Sequence, residues 1–579
     1  MNKKQLLILK KLLSYIRPHK IHVAFILISA LISVIFTLVT PILIGNAIDY
    51  VIGPSNVDFG NILRILSYLA VSIVISAIFQ WFMSYLSTRL TSLTVSDLRT
   101  ASFQKLNKVP LKYIDTNSHG NLINSVVNDI DQISDGLLQG FTQIFSGVIT
   151  IFGTLAFMVF INYKIALVVV LLTPLSFFIA SFISKHTFLK MKEQADIRGE
   201  LSGYIEEMIG NEKTVKSFGY EKNAIAHFEE INARLYDCGY KAQFYSALTN
   251  PSTRFLNGLV YAAVGIFGAV NVVNGGLSIG QLSAFLSYAN QYTKPFNEIS
   301  GVFTELQSAL ASAARIFSII EADSEISDEN LLETVECDGE IKINHVSFSY
   351  TPDVPLIEDF NLHVKPGQRI AIVGPTGCGK TTFINLLMRF YDINSGEILI
   401  HNTDIRDMKR EVLRKQFGMV LQESWLFQGT IFENIAYGKP DATLDEVMDA
   451  AKAAHAHSFI KRLPKGYNTV ISEDGNVSQG QKQLLCIARI MLTKPPMLIL
   501  DEATSNIDTR TEIRIQKAFL ELMEGRTSFI VAHRLSTIKE ADIILVMNKG
   551  HIIEQGSHDE LLAQNGFYAN LYNSQFAAS

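Results

Sequence analysis

Five stretches of the chain run without a charged residue: 21–48, 65–88, 136–163, 165–184 and 255–293. A membrane span needs about 20 mostly apolar residues, and a charge at its centre costs about 3 kcal/mol. Each stretch is therefore read as membrane-crossing helix. The last is too long for one helix, and its middle reads Asn274-Gly275-Gly276, a strong breaker,. Two helices joined by a tight turn fit it better. The pattern predicts six spans, at about 21–48, 62–88, 136–162, 165–185, 254–273 and 277–305,.

The segments between the spans alternate in charge. The connections 49–60 and 271–280 carry no Lys or Arg, and 162–164 carries only Lys164, whereas those after the second and fourth spans are rich in both, from Arg89 to Lys112 and from Lys185 to Lys216. By the positive-inside rule the basic segments and both termini face the cytoplasm. The two basic connections keep helix-like apolar spacing, as in Leu122, Ile123, Val126, Val127, Ile130 and Ile133. Long structureless loops are improbable in such a pattern. The spans are expected to continue well into the cytosol as helix and return through turns near 113–120 and 210–219, within reach of a soluble domain. Residues 5–17 alternate Leu and Ile with Lys10, Lys11 and Arg17, an amphipathic basic helix suited to the membrane surface,.

Composition agrees with this division. Of 579 residues, 48% are hydrophobic and only 18% charged, against about 25% charged in an average globular chain. The mean hydropathy of +0.22 favours one membrane region joined to a soluble one over several soluble domains. A net charge of −5 gives no electrostatic reason to expect nucleic-acid binding,. Cys238, Cys337, Cys378 and Cys486 lie far apart, with neither the spacing of a zinc site nor that of a disulfide framework,.

Beyond residue 320 an acidic linker, 321–338, leads into a segment, 339–579, that alternates apolar strands with amphipathic helices, the pattern of an α/β domain. Its decisive element is Gly374-Pro375-Thr376-Gly377-Cys378-Gly379-Lys380-Thr381-Thr382, a GxxxxGKT run that follows an apolar strand and opens a helix. Such a loop wraps phosphates in backbone N–H groups at a helix N-terminus; Lys380 reaches the β- and γ-phosphates, and the Thr381 hydroxyl suits Mg²⁺. A second apolar strand, 497–500, ends in Asp501-Glu502. Beside a P-loop, Asp501 is placed to hold Mg²⁺ and Glu502 to activate a water.

With these motifs on one chain, the sequence resembles the ATP-binding cassette (ABC) exporters, six membrane helices fused to an α/β P-loop ATPase domain. The resemblance covers nearly the whole chain. It implies that Tyr350 of Phe348-Ser349-Tyr350 stacks on adenine and that Gln422 of Val420-Leu421-Gln422-Glu423 lies near Mg²⁺ and the water. It further implies that His533 of Val531-Ala532-His533-Arg534 contacts the γ-phosphate and that Asp508 is the aspartate following the second Walker strand. ATP and Mg²⁺ are the implied cofactors, with Thr381, Gln422 and Asp501 around the metal and Glu502, Gln422 and His533 at the chemistry.

One motif departs from the family. Where the family has Leu-Ser-Gly-Gly-Gln, this chain has Val477-Ser478-Gln479-Gly480-Gln481. In the family this loop closes on the ATP of the opposite subunit, so Ser478, Gly480 and Gln481 remain candidate phosphate contacts. Gln479 adds a side chain and removes easy access to positive φ. A related, non-identical chain with the unaltered loop is thus the expected partner, with a homodimer as the alternative. The expected activity is ATP-driven export of an apolar or amphipathic small molecule, drug or lipid-like, across the cell membrane by alternating access. An exporter-shaped importer and a soluble regulatory ATPase of the same nucleotide-binding class are the competing readings.

Overall fold

The computed structural model describes residues 3–51, 57–351, 354–421, 424–472, 477–501, 507–531 and 538–575. Contacts divide the chain into two compact units, one of Met1–Lys108 and Asn117–Ala322, the other of Val109–Thr116 and Asp323–Ser579.

The first unit is helical. It contains α1 (Lys3–Ile16), α2 (Lys20–Asp49) and α3 (Phe59–Leu106), then, after the excursion of Val109–Thr116 as α4 (Leu111–Thr116), α5 (His119–Asn124), α6 (Ile130–Gln139), α7 (Phe145–Gly210), α8 (Glu212–Ser217), α9 (Glu221–Val273) and α10 (Ile279–Ile320). Among the described residues four stretches, Lys3–Asp49, Phe59–Leu106, His119–Thr173 and Glu221–Val273, are long and apolar enough to cross a membrane. The continuous α7 contains a break: Asn162 leaves the helical region at φ −157° and ψ 106°. Its side-chain oxygen accepts from the N–H groups of Lys164 (3.0 Å) and Ile165 (3.2 Å), capping the helix that follows,. The short connection expected at 162–164 is this capped hinge. The breaker at 274–276 also acts as the sequence suggests. Gly275 takes φ +72° and Ser278 opens α10 with a capping box to Gln281,.

Pro41 lies inside α2 and removes a backbone donor,. Nearby carbonyls gain side-chain donors: the Ser72 hydroxyl bonds Phe36 O at 2.9 Å and Tyr288 bonds Leu38 O. Hydroxyls from neighbouring helices are what let a membrane helix tolerate such a site. α3 alone is 48 residues, about 70 Å of helix at 1.5 Å per residue, against an apolar bilayer core of about 30 Å. Much of it must lie outside the bilayer. Just before α6 the structure buries a charge, Asp129, which accepts from Arg315 Nε at 2.7 Å and Ser312 Oγ at 3.0 Å and thereby ties the start of α6 to α10.

In the second unit, β1 (Ile341–Phe348), β2 (Ile357–Val364), β4 (Ser395–Ile400) and β5 (Thr403–Asp404) form an antiparallel sheet in the order β2-β1-β4-β5. A six-stranded sheet follows the order β12-β11-β3-β10-β9-β6, from β3 (Arg369–Val373), β6 (Phe417–Val420), β9 (Met497–Asp501), β10 (Thr527–Val531), β11 (Ile543–Asn548) and the antiparallel edge strand β12 (His551–Gly556). β3, β6, β9, β10 and β11 are mutually parallel. β3 and β9 are buried at nearly every position, as expected of strands covered on both faces. One core fills the space around both sheets and α11 (Lys380–Leu387). A second surrounds α16 (Gln479–Thr493) and is built with α14 (Leu444–Ala453) and α17 (Thr509–Met523).

The acidic linker is pinned to this unit. Asp328 accepts from the backbone N–H of Arg410 at 2.7 Å and pairs with its guanidinium, which is buried and also bonds Ile326 O at 2.9 Å. Lys409 pairs with Glu333.

Candidate nucleotide site

The parallel register aligns the carboxyl ends of four strands. Val531 of β10 lies beside Ile372 of β3 and Asp501 of β9, and Val420 of β6 lies beside Leu500. In an open α/β sheet ligands bind outside these ends. The P-loop leaves β3 here and Asp501 ends β9. Gln422, Glu502 and His533 follow Val420, Asp501 and Val531 by one or two residues in sequence, but all three lie outside the described residues.

The P-loop conformation depends on its glycines. Gly374 has φ +155°, and a Cβ there would stand 2.2 Å from the Met547 carbonyl oxygen and 2.7 Å from Cys378 Sγ. Gly379, at φ +107°, is the N-cap of α11. No other residue type fits the first position without displacing β11, and the second favours glycine by its left-handed backbone. Cys378 is buried beneath the loop. Lys380 folds back over it, its ammonium donating to Gly374 O at 2.8 Å and Pro375 O at 3.1 Å. Thr381 is exposed on the first turn of α11 while Thr382 is buried. The loop thus presents a helix N-terminus, a lysine and an exposed hydroxyl to one space, which fits a polyphosphate. An exposed hydroxyl and a strand-end carboxylate are hard oxygen donors of the kind Mg²⁺ takes, so Thr381 and Asp501 fit the metal.

Tyr350 is half-buried, edge-on to Phe348 (4.9 Å) and Tyr391 (5.0 Å), and its hydroxyl lies 3.1 Å from that of Thr382. The residue expected to stack on adenine is therefore tied directly to the P-loop helix. Tyr391, which sequence reasoning missed, bonds the Asp115 carboxylate on α4. Burial and then that carboxylate push its phenol well above the usual range,. The expectation that a turn near 113–120 meets a soluble domain matches the grouping of Val109–Thr116 with the ATPase unit. Nothing in the spacing around Tyr391 separates it from an ordinary core tyrosine.

The Val477–Gln481 loop opens α16. Ser478 caps the helix, accepting from Gln481 N at 3.3 Å, while Gln481 Oε1 accepts from Ser478 N at 2.9 Å. Helix geometry leaves the next N–H groups, those of Gln479 and Gly480, without an intrahelical acceptor. Gly480 is buried, and a Cβ there would meet Thr511 Cγ2 at 2.5 Å and Ile507 Cγ2 at 2.9 Å. Here the structure corrects the sequence reading of Gln479. It is the first residue of the helix, exposed, and absent from the residues with positive φ, so the side chain imposes no backbone strain. Asp508 caps α17, accepting from Thr511 N at 2.9 Å; a hydrogen bond from the Thr511 side chain, and then this backbone bond, hold its carboxyl below the usual range. On α16, Arg489 bonds Asn434 O and lies over the rings of Trp425 and Tyr437, both half-exposed.

The chain matches the family model of the ABC transporter transmembrane region over residues 23–296 and that named ABC transporter over 357–505. It is 43% identical over 570 residues to an uncharacterized ABC transporter ATP-binding protein of Bacillus subtilis, covering 98% of this chain and 94% of that one. It is 42% identical over 519 residues to a fatty acid ABC transporter ATP-binding/permease protein of Mycobacterium bovis, covering 90% and 82%. Among solved structures it is similar to a bacterial Atm1-family ABC exporter with ATP bound, at a TM-score of 0.78 and 28% identity over 96% of this chain and 98% of that one. The chain belongs to the ABC transporter family, as a membrane-spanning exporter whose ATP-binding domain hydrolyses ATP to drive transport.

Proposed function

We propose that this chain is one half of a dimeric exporter that moves an apolar or amphipathic small molecule, lipid-like or drug-like, across the cell membrane by alternating access, with its ATPase domain in the cytoplasm. The observation that carries the reading is the P-loop, with Lys380 and exposed Thr381 beside the strand end of Asp501, on a chain with long apolar helices. The relative named as a fatty acid transporter supports the substrate class.

In the proposed site Lys380 and the N-terminus of α11 bind the β- and γ-phosphates and spread their charge, which is the main task in phosphoryl transfer. Thr381, Asp501 and Gln422 hold Mg²⁺, which supplies charge neutralisation between the phosphates when bound. Glu502 orients and deprotonates the attacking water, and His533 donates to the γ-phosphate. Tyr350 positions adenine. The Ser478–Gln481 loop closes on nucleotide held by the other chain through Ser478 and the N–H of Gly480, and Asp508 lies at the contact between the two domains.

Because hydrolytic residues and closing loop act at different sites of such a dimer, self-pairing puts Gln479 in both. A related chain with glycine there makes one site fully competent, so the heterodimer is the favoured assembly. The intact cap of Ser478 and Gln481 supports the homodimer as the second reading. The test is to purify this chain alone in detergent and measure its mass and ATPase rate. A stable homodimer with robust hydrolysis overturns the heterodimer; an inactive chain rescued by a second six-helix subunit supports it.

A further inference from the structure

The ATPase unit has a second cationic concavity that shares no residue with the P-loop. Where α14 turns into α15 (His457–Ile460), an open basin of about 380 Å³ faces the middle of α17, lined by Lys452, His455, His457, Ser458, Arg514 and Lys517. Every lining residue is a cation, an imidazole or a hydroxyl. A surface that merely packs two helices would contribute apolar side chains, and these lie behind it, with Ala451, Phe459 and Ile515 in the core.

The surrounding charges do not account for the basin. Lys452 pairs with Asp449 at 2.8 Å and lies in the last turn of α14, where the helix dipole favours a cation,. Arg514 and Lys517 have neither explanation. They fall in the middle of α17, away from the last turn where the dipole favours a cation,, and among the described residues no carboxylate lies within ion-pairing distance of either. Glu521 also approaches the basin, with Oε1 3.1 Å from His455 Nε2. That approach lacks the angle of a hydrogen bond, and among the described residues this buried nitrogen has no hydrogen-bonding partner. His457 engages Tyr467 through Nδ1 at 2.8 Å, which leaves Nε2 as the polar edge still to be satisfied.

The backbone adds to the picture. His455 has φ +53° and closes α14 as its left-handed terminal residue, with Ala456 N bonded to Ala451 O at 2.8 Å. Glycine is favoured at this position, and any side chain there costs about 1–2 kcal/mol. The chain instead places an imidazole there, on the wall of the basin.

We propose that this basin is a binding site for a small phosphate-bearing polyanion, with pyrophosphate as its simplest representative. Arg514 offers a planar pair of donors and Lys452 and Lys517 point charges, the combination that suits phosphate; no wholly apolar side chain lines the basin to hold a lipid tail. An anion held there would bridge the α14–α15 corner to α17. Both α14 and α17 pack on α16, whose N-terminus carries Ser478 and Gly480, so occupancy would stiffen the support of that loop.

The test uses the full chain in detergent with Lys380→Ala, which weakens phosphate binding at the P-loop, and pyrophosphate titrated by calorimetry. The expected result is saturable binding near one per chain, weakened at least about tenfold when Arg514→Gln and Lys517→Gln are added, given the strength of charge-assisted hydrogen bonds. Binding should also weaken as ionic strength rises. Exposed Lys517→Gln alone, expected to weaken binding by a smaller factor, serves if the combined variant does not fold. Saturable binding that none of these substitutions alters belongs to the P-loop and overturns the proposal, as does the absence of saturable binding. Equal affinity for succinate overturns the assignment to phosphate.

Discussion

The two loops that the proposed assembly brings to one ATP are built on different principles. The P-loop takes its shape from glycine conformation: Gly374, Gly377 and Gly379 all have positive φ, and Gly374 touches the carbonyl of Met547. The Val477–Gln481 loop takes its shape from a capped helix start. Ser478 has ordinary extended torsions, the cap is closed by Gln481, and the one glycine it needs, Gly480, is required by the side chains of Thr511 and Ile507 rather than by its backbone. The contrast explains how a chain can lose a glycine at 479 and keep the loop's geometry, whereas the P-loop tolerates no such change. Whatever Gln479 does to hydrolysis, it does by the bulk of an exposed side chain and not by strain.

The comparison can be broken at its strongest point first. Lys380→Ala should lower ATP hydrolysis on the order of 10²–10³-fold by removing a charge that stabilises the transferring phosphoryl group. Glu502→Gln should lower hydrolysis comparably while ATP binding, measured by equilibrium titration, stays near normal. Parental hydrolysis in Glu502→Gln would refute the assignment of the base.

Next come the glycines. Gly374→Ala forces a Cβ against backbone at positive φ and should destabilise the ATPase unit by about 3 kcal/mol or more. In Gly480→Ala the Cβ meets two methyl groups that can shift, and about 1–2 kcal/mol is expected. Thermal unfolding of the two variants checks the order; a larger loss at Gly480 would reverse the distinction drawn between the loops. Ser478→Ala, which removes the cap, should cost about 1 kcal/mol and lower the ATPase rate without changing nucleotide affinity at the P-loop. The smallest effect is expected from Gln479→Gly: stability lower by under about 1 kcal/mol, from added backbone freedom, and a few-fold rise in the ATPase rate of the self-paired chain. A fall in that rate would show that Gln479 contributes a contact rather than an obstacle.

Most of the fold was legible because its signals are local. Charge-free runs marked the apolar helices, a three-residue connection marked the hinge at Asn162, and the run from Gly374 to Thr382 marked the P-loop between its strand and helix. What escaped depends on residues far apart in sequence. The bond between Tyr391 and Asp115 joins positions 276 apart, and the clamp of Asp328 on Arg410 spans 82; no periodicity encodes either pairing. Gln479 was misread for another reason. Its environment was inferred from the glycine it replaces, and that glycine's freedom is not used when the position is the first residue of a helix.

Directional export can be followed in inside-out membrane vesicles that contain this chain with its partner subunit, with a fluorescent fatty acid as the transported molecule and ATP added outside. ATP-dependent accumulation inside the vesicles, abolished by Lys380→Ala in this chain, is the expected result. Accumulation that persists without ATP or is unchanged by Lys380→Ala, or ATP-driven loss of preloaded fatty acid from the vesicles, would contradict it.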